Sequence, residues 1–181
     1  MTSTGRSKRR PTKRGPAVTH DEKQFVRVTV SGLARDPRDN PVVLLKSIEG
    51  GEVLPIWIGQ AEGMAIELHM KGEKFERPLT HDLLRTTIEG LGATVVKVAI
   101  TELRNNTFYA RVYLQRDNDV IAIDARPSDS VALALKFDAP IFVALDVFAS
   151  HKRSAEGEPG AEPDRDDELR RYLKDLDPGE F

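Results

Sequence analysis

The chain carries two copies of one pattern of predicted strands and helices, and this repeat limits the folds open to it. Val42–Lys71 aligns with Tyr109–Asp138 at a constant offset of 67 residues and without a gap. Upstream, Val26–Leu33 aligns with Val96–Leu103 at an offset of 70, so the two copies differ there only in loop length. Each copy therefore supplies an independent check on the structure predicted for the other.

A third segment extends the repeat, since residues 82–91 resemble residues 168–177. Each copy then predicts three strands followed by two helices. In the first strand, Val26, Val28 and Val30 alternate with polar residues, which is typical of a half-buried strand. The predicted fold is a single α+β domain with an internal duplication and a mixed or antiparallel sheet.

The predicted hairpin turns set the strand register. Gly50-Gly51 and Asp117-Asn118 both tolerate the positive φ of a two-residue turn. The second turn predicts a core face with the pairs Leu114–Ile121, Val112–Ile123 and Ala110–Ala125, and a polar face with Tyr113–Ala122, Arg111–Asp124 and Tyr109–Arg126. The first turn predicts a core face with Leu45–Ile56 and Val43–Ile58, and an apolar second face with Leu44–Trp57, Lys46–Pro55 and Ile48–Val53.

Polar residues mark the predicted helix starts. Ala61–Met70 and Asp129–Phe137 are predicted helices, and Thr80 and Ser128 are predicted N-caps. Pro140–Leu145 is predicted to be one further, buried strand.

Charge and composition divide the chain into regions. The predicted boundaries are a disordered basic tail at 1–23, a domain at 24–150 with repeat units at about 25–91 and 95–177, a linker at 151–166 and a helix at 167–178. The tail carries a net charge of +5 and the last thirty residues −4, within a total of −2. The tail suits sequence-independent phosphate contacts, or it is only a solubilising extension.

Composition excludes several kinds of protein. The chain has no cysteine, so disulfides, thiol catalysis and cysteine-bound zinc are excluded. No apolar run approaches the roughly 18 residues that a membrane span needs. We therefore expect a cytoplasmic protein without a membrane partner.

The polar face of the second hairpin leads into the sequence Asp124-Ala-Arg-Pro-Ser-Asp129. Asp124 and Asp129 at a strand-to-helix turn are hard oxygen ligands suited to Mg²⁺ or Mn²⁺, and Arg126 between them suits a phosphate. These are ingredients of metal-assisted phosphodiester hydrolysis. Alternatively, Asp124 pairs with Arg111 across the strands, and Asp129 or Ser128 only caps a helix.

Two further positions complete the candidate site. Glu62 is the counterpart of Asp129 in the first copy and is a third candidate metal ligand, although an acidic residue at both helix starts also fits simple capping. His81 is a candidate general base, or an exposed residue of a first helical turn.

Three blocks of the sequence, LPIWIGQAEGMAIELHMKG, RPLTHDLLRTTIEGLGA and IDARPSDSVALALKFDAPIFV, resemble the bifunctional nuclease (BFN) domain family. The resemblance covers residues 25–147. It implies an α+β domain that self-associates and acts as a nuclease on DNA and RNA. Glu62, His81, Asp82, Asp124, Arg126, Ser128 and Asp129 occupy polar positions of these blocks. Gly63 departs from the family pattern, in which an alanine is expected after the glutamate.

Two functions follow as hypotheses. In the first, the chain is a nuclease in which Asp124, Asp129 and Glu62 hold the metal. Arg126 contacts the phosphate, His81 transfers a proton, and Tyr109, Tyr113 and Arg111 bind the nucleic acid. In the second, the chain is a non-catalytic binding or regulatory module. In either case the apolar patch of Leu44, Ile48, Val53 and Trp57 predicts a homo-oligomer, most simply a two-fold dimer. Alternatively, the predicted helices at Leu83–Leu91 and Leu169–Leu176 cover this patch.

Overall fold

The computed structural model describes residues 24–73 and 75–151. Its strands are β1 (Phe25–Arg35), β2 (Pro41–Ser47), β3 (Val53–Trp57), β4 (Thr94–Arg104), β5 (Thr107–Arg116), β6 (Asp119–Ala125) and β7 (Ile141–Ala144). Its helices are α1 (Gln60–Met70), α2 (Thr80–Gly90), α3 (Pro127–Phe137) and α4 (Leu145–His151). No helix in these ranges is long and apolar enough to cross a membrane.

All seven strands form one mixed sheet in the order β3-β2-β1-β7-β4-β5-β6. Two antiparallel three-stranded units flank β7, which runs antiparallel to β1 and parallel to β4. The predicted α+β class and mixed sheet are therefore confirmed. The internal duplication stays a prediction, because the counterpart of α2 at 168–177 lies outside the described residues, as do the basic tail and most of the linker.

The predicted register of the second hairpin is confirmed and that of the first is wrong. β5 pairs with β6 from Ala110–Ala125 to Arg116–Asp119. In the β2–β3 pair, Val43 lies opposite Ile56 and not opposite Ile58 as predicted, so the register differs from the prediction by two residues. Only Gly51 of the glycine pair has a positive φ, at 74°, and the chain forms a longer loop closed by the Ser47 N–H bond to the Glu52 carbonyl. A shift of two keeps each side chain on its face.

One face of the sheet and all four helices form the main core. Ile66, Ile88, Val131 and Phe148 bring one apolar side chain from each helix into it. The opposite face, called here the outer face, carries a small cluster of Val42 and Leu44 with Ala34, Val53 and Trp57 packed around them.

Burial was predicted wrongly at β6. Val112 is buried as expected, but its partner Ile123 is 44% exposed and Ile121 is 48% exposed. β6 is an edge strand, and within the described ranges no helix covers its outermost residues. The apolar face of the second hairpin therefore continues past the core into solvent.

The helices also begin earlier than predicted. The N-caps are Leu79 and Arg126, not Thr80 and Ser128, and neither makes a side-chain cap to the backbone. Asp82 Oδ2 instead accepts a hydrogen bond from the Leu79 N–H at 3.0 Å. The segment predicted as a strand to Leu145 ends at Ala144, and α4, which was not predicted, begins at Leu145.

Gly63 has a packing role. It is buried on the α1 side that faces the start of β2, and a Cβ added there would lie 2.9 Å from Pro41 Cβ and 3.0 Å from Pro41 Cγ. α1 can approach β2 this closely because residue 63 has no side chain. The glycine at position 63 therefore sets how near α1 lies to the sheet.

Candidate functional site

Four of the predicted site residues meet at the N-termini of α1, α2 and α3. Arg126 Nε contacts Asp129 Oδ2 at 2.7 Å, and Arg126 Nη2 contacts Glu62 Oε1 at 2.6 Å and Asp129 Oδ1 at 3.2 Å. His81 Nε2 lies 3.2 Å from Asp129 Oδ1. This arrangement, called here the Arg126 cluster, links α1, α2 and α3 through side chains alone.

Local structure explains why these side chains converge. Glu62 and Asp129 lie in the first turns of α1 and α3, where the helix dipole favours a carboxylate. Arg126 is the N-cap of α3, directly before Pro127, which is favoured at the first helical position. His81 lies in the first turn of α2 and is buried, so the hypothesis of an exposed histidine is wrong.

The hydrogen bonds within the cluster shift the pKa values of Asp129 and Arg126. Burial acts to raise the pKa of Asp129, but hydrogen bonds from Arg126 and His81 outweigh it and leave the pKa below its usual value. The pKa of Arg126 is raised by its hydrogen bonds to Asp129 and to Glu62. Asp129 is therefore ionised at neutral pH, and Arg126 carries a permanent charge between two carboxylates.

The ionised Asp129 assigns roles to the nitrogens of His81. A carboxylate can only accept hydrogen bonds, so Nε2 carries the proton in this contact and Nδ1 has the lone pair in the neutral ring. A histidine oriented by a carboxylate is a common general base. The geometry is thus compatible with proton transfer at Nδ1.

Arg126 retains hydrogen-bonding capacity. Its side chain is 65% exposed, and Nη1 makes no hydrogen bond to any residue in the described ranges. A guanidinium has five N–H donors, of which Nη1 holds two. These two donors can receive an anion such as a phosphate oxygen.

The other predicted site residues lie apart from this cluster. Arg111 and Asp124 are opposite each other on β5 and β6, on the outer face with Tyr109 and Tyr113. No ion pair joins Arg111 to Asp124 among the described residues, so the predicted pairing of their charges is not formed. Lys97 Nζ lies 4.6 Å from the centroid of the Tyr113 ring, and Arg104 Cζ lies 4.7 Å from the centroid of the Tyr109 ring.

The arrangement does not fit the predicted metal ligand set. Within residues 24–73 and 75–151, no three His, Asp or Glu side chains are grouped so that they could hold an ion. Arg126 contacts both Glu62 and Asp129, and Asp124 makes no hydrogen bond or ion pair with any of these three among the described residues. A metal at Asp124, Asp129 and Glu62 would require these side chains to move.

A cavity of about 940 Å³ opens beside the cluster, between α1, α2 and the β5–β6 hairpin. Glu62, His81, Arg126 and Asp129 lie at its polar end, and Asp124 borders it. The remaining walls are mainly apolar. A second cleft, of about 510 Å³, lies on the other side of Arg126, between β3 and the β4–β5 turn.

Two contacts near the site were missed by the sequence analysis. Lys136 Nζ contacts Asp82 Oδ1 at 2.5 Å and joins α3 to α2, and this ion pair lowers the pKa of Asp82. The buried Asp36 accepts hydrogen bonds from Trp57 Nε1 at 3.2 Å and from Asn40 Nδ2 at 2.9 Å. The Lys136–Asp82 and Trp57–Asp36 pairs are far apart in the sequence, so neither gives a local signal of contact.

Comparison with known proteins identifies the family that the sequence resembles. Residues 43–156 match the bifunctional nuclease domain. An uncharacterized protein of Mycobacterium tuberculosis, Rv1829, is 38% identical over 161 residues, which cover 85% of this chain and 96% of that protein.

Two plant proteins are more distant. Bifunctional nuclease 1 of Oryza sativa subsp. indica is 26% identical over 113 residues, covering 60% of this chain and 34% of the plant protein. Bifunctional nuclease 1 of Arabidopsis thaliana is 24% identical over 116 residues, covering 62% and 36% respectively. The chain thus spans about a third of each plant protein. Because the family match extends over more than half of its residues, the chain belongs to the bifunctional nuclease domain family.

Proposed function

We propose that the protein is a nuclease that hydrolyses phosphodiester bonds of DNA and RNA at the Arg126 cluster. The observation that supports this function best is the combination of an ion-paired arginine with free donors and a histidine oriented by Asp129, at the mouth of a cavity. Family membership supports the same class of activity.

Each residue of the cluster has a proposed role. Arg126 Nη1 donates to a non-bridging phosphate oxygen. His81 Nδ1 accepts a proton from the attacking water, while Asp129 holds the ring and stabilises the imidazolium that forms. As the water oxygen bonds to phosphorus, the bond from phosphorus to the leaving sugar oxygen breaks, and that oxygen takes a proton from the imidazolium or from solvent. Glu62 keeps the guanidinium in place, since its contact with Nη2 adds to the two contacts that Asp129 makes with Nε and Nη2.

The outer face is the proposed contact surface for the rest of the nucleic acid. Tyr109, Arg111 and Tyr113 lie there, and the exposed basic side chains on the same face include Arg27, Lys46, Lys97, Arg104 and Arg111. Stacking on tyrosines and sequence-independent phosphate contacts suit both DNA and RNA. These basic side chains offset the excess of carboxylates in the Arg126 cluster.

Dependence on Mg²⁺ or Mn²⁺ remains part of the proposal. The steps above are not routed through a metal, because Arg126 already forms ion pairs with Glu62 and Asp129, two of the three candidate ligands. Activity is therefore to be measured with each ion and with a chelator. A loss of cleavage in the chelator would show that an ion enters with the substrate or displaces Arg126.

The decisive experiment is cleavage of end-labelled single-stranded RNA and DNA by the wild type, Asp129→Asn and Asp124→Asn, all purified identically. Asp129→Asn is expected to lower kcat by about 10²- to 10⁴-fold, the usual contribution of general base catalysis. Asp124→Asn is the matched control and is expected to change kcat little. Equal activity in all three preparations would identify a contaminant and refute the proposal, provided that thermal melting shows both variants folded.

The second candidate function is a non-catalytic binding or regulatory module. It is favoured by the way in which the Arg126 cluster joins three helices, since such an ion-pair network also serves to fix helix packing. In that case Asp129→Asn lowers stability, and the wild type shows no cleavage above a mock purification.

We also propose that the chain self-associates through β6. The apolar patch expected around Trp57 is only partly exposed, because Leu44 is buried and Trp57 Nε1 donates a hydrogen bond to Asp36. In the part of the chain that the structure describes, β6 is an edge strand with exposed Val120, Ile121 and Ile123, whereas the other edge, β3, is shorter and contains Pro55. Antiparallel pairing of two β6 strands would give a two-fold dimer. The cytoplasmic location expected from the sequence stays a prediction.

A further inference from the structure

The cleft between β3 and the β4–β5 turn has the composition of a nucleotide site. Its volume of about 510 Å³ lies within the range of roughly 300–1,000 Å³ that is common for small-molecule sites. The lining residues that matter here are Asn40, Trp57, Asn106, Phe108, Arg126 and Ser128. Two aromatic rings, two amides and one guanidinium are groups that stack on a base, bond to its edge and bind its phosphate.

A buried carboxylate holds two of these groups in place. Asp36 is only 5% exposed, and its Oδ2 accepts hydrogen bonds from both Trp57 Nε1 and Asn40 Nδ2. Its Oδ1 accepts the backbone N–H groups of Arg38 and Asn40 at 2.9 and 2.8 Å. The indole and the Asn40 amide are thus oriented before any ligand arrives, which lowers the entropic cost of binding.

The opposite wall is formed by the turn that connects β4 and β5. Asn105 and Asn106 both have positive φ, of 49° and 56°, a conformation that asparagine tolerates better than most residues. The Asn106 amide makes no hydrogen bond to any residue in the described ranges. An amide carries both donors and an acceptor, so it can serve different base edges.

Arg126 connects this cleft to the Arg126 cluster, since it lines both the cleft and the larger cavity. A phosphate at Nη1 would have the His81–Asp129 pair on one side and the cleft on the other. We propose that the cleft holds one nucleobase of a single-stranded substrate, stacked on Trp57, next to the phosphate at Arg126. This inference rests on the proposed nuclease function and names its substrate as a single strand.

Trp57 is the only tryptophan of the chain, so its fluorescence reports on the cleft directly. Titration with a deoxythymidine octamer is expected to quench it saturably, whereas ribose 5-phosphate, which has no base, is expected to leave it unchanged. Quenching reports binding of the octamer and does not require its cleavage, so it tests the cleft separately from the nuclease activity. Equal quenching by ribose 5-phosphate would show that the site binds only an anion and would overturn the proposal.

Variants are compared by the anisotropy of a fluorescein-labelled octamer. Trp57→Leu is expected to weaken binding by about 5- to 150-fold, the range given by loss of one stacking contact. Asn106→Gly removes the amide, relieves the positive φ and is also expected to weaken binding. Tyr113→Leu removes a second proposed stacking residue, outside the cleft, and is expected to weaken binding less than Trp57→Leu.

The outcomes separate this inference from the nuclease proposal. Quenching of Trp57 without cleavage would support the cleft and refute the nuclease. Cleavage without quenching, or greater weakening by Tyr113→Leu than by both cleft variants, would overturn the cleft and leave the nuclease standing. Neither binding nor cleavage by the folded wild type would overturn both.

Discussion

Replacement of Arg126 by methionine is expected to destabilise the protein in a pH-dependent way. The substitution keeps an apolar stem of similar length but removes the charge between Glu62 and Asp129, whose side chains are only 16% and 29% exposed. Breaking a fully buried ion pair costs about 3–5 kcal/mol, and breaking an exposed one costs about 0.2–1 kcal/mol. Because Arg126 itself is 65% exposed, solvent screens much of the effect, and we expect about 1–2 kcal/mol at pH 7.

The pH dependence follows from the pKa of Asp129, which is lower in the folded protein than in the unfolded chain. Its contribution to stability is complete above the unfolded pKa of about 3.9 and is lost as the pH falls through the folded pKa. The difference between the wild type and Arg126→Met should therefore be full at pH 7 and shrink steadily below about pH 4.

Urea denaturation at several pH values between 3 and 7 measures this difference. Lys71→Met is a matched control, since it removes an exposed ion pair with Glu67 within one helix, and its effect should be smaller than that of Arg126→Met. If the two variants lose the same stability at pH 7, or if the loss in Arg126→Met persists unchanged at the lowest pH, the cluster is not an electrostatic link between helices and the reasoning is wrong.

Three other predictions concern packing and assembly. Gly63→Ala should destabilise the protein by about 1–3 kcal/mol in thermal or urea unfolding because of overpacking against Pro41, whereas Gly90→Ala, which meets no atom within 4 Å, should be neutral or stabilising. Ser130→Ala should cost less than about 1 kcal/mol or stabilise, since its buried hydroxyl has no hydrogen-bond partner in the described ranges; a larger loss would reveal an unseen partner. Ile121→Glu should fold normally and, in light scattering, show the 20.2 kDa monomer mass, while the wild type shows more; a monomeric wild type at tens of micromolar would contradict assembly through β6.

The parts of the fold that could be predicted from sequence are those fixed by local geometry. The register of β5 and β6 follows from a two-residue turn with Asp117 at positive φ, so counting from the turn places Arg111 opposite Asp124. The same count failed for β2 and β3, because two glycines permit several loop conformations and the chain uses a longer one. The face on which each side chain lies was still predicted correctly, because the observed register differs from the predicted one by an even number of residues.

The candidate site was predictable only in part, for the same reason. Arg126 and Asp129 are three residues apart across a helix start, and their contact follows from helical spacing. The contact from Glu62 to Arg126 spans 64 residues, and that from His81 to Asp129 spans 48. These contacts depend on how α1 and α2 pack beside α3, which no local pattern specifies.

The two predicted copies explain why the cluster contains a single arginine. At the offset of 67, Glu62 corresponds to Asp129, and the N-cap Gly59 corresponds to the N-cap Arg126. The two helix starts thus present equivalent carboxylates, and one arginine serves both of them. A Cβ at position 59 would lie too close to Glu62 Oε2, so the Glu62 carboxylate would have to shift. The glycine at position 59 therefore leaves room for the Glu62 carboxylate, and the arginine at position 126 contacts both carboxylates through Nε and Nη2.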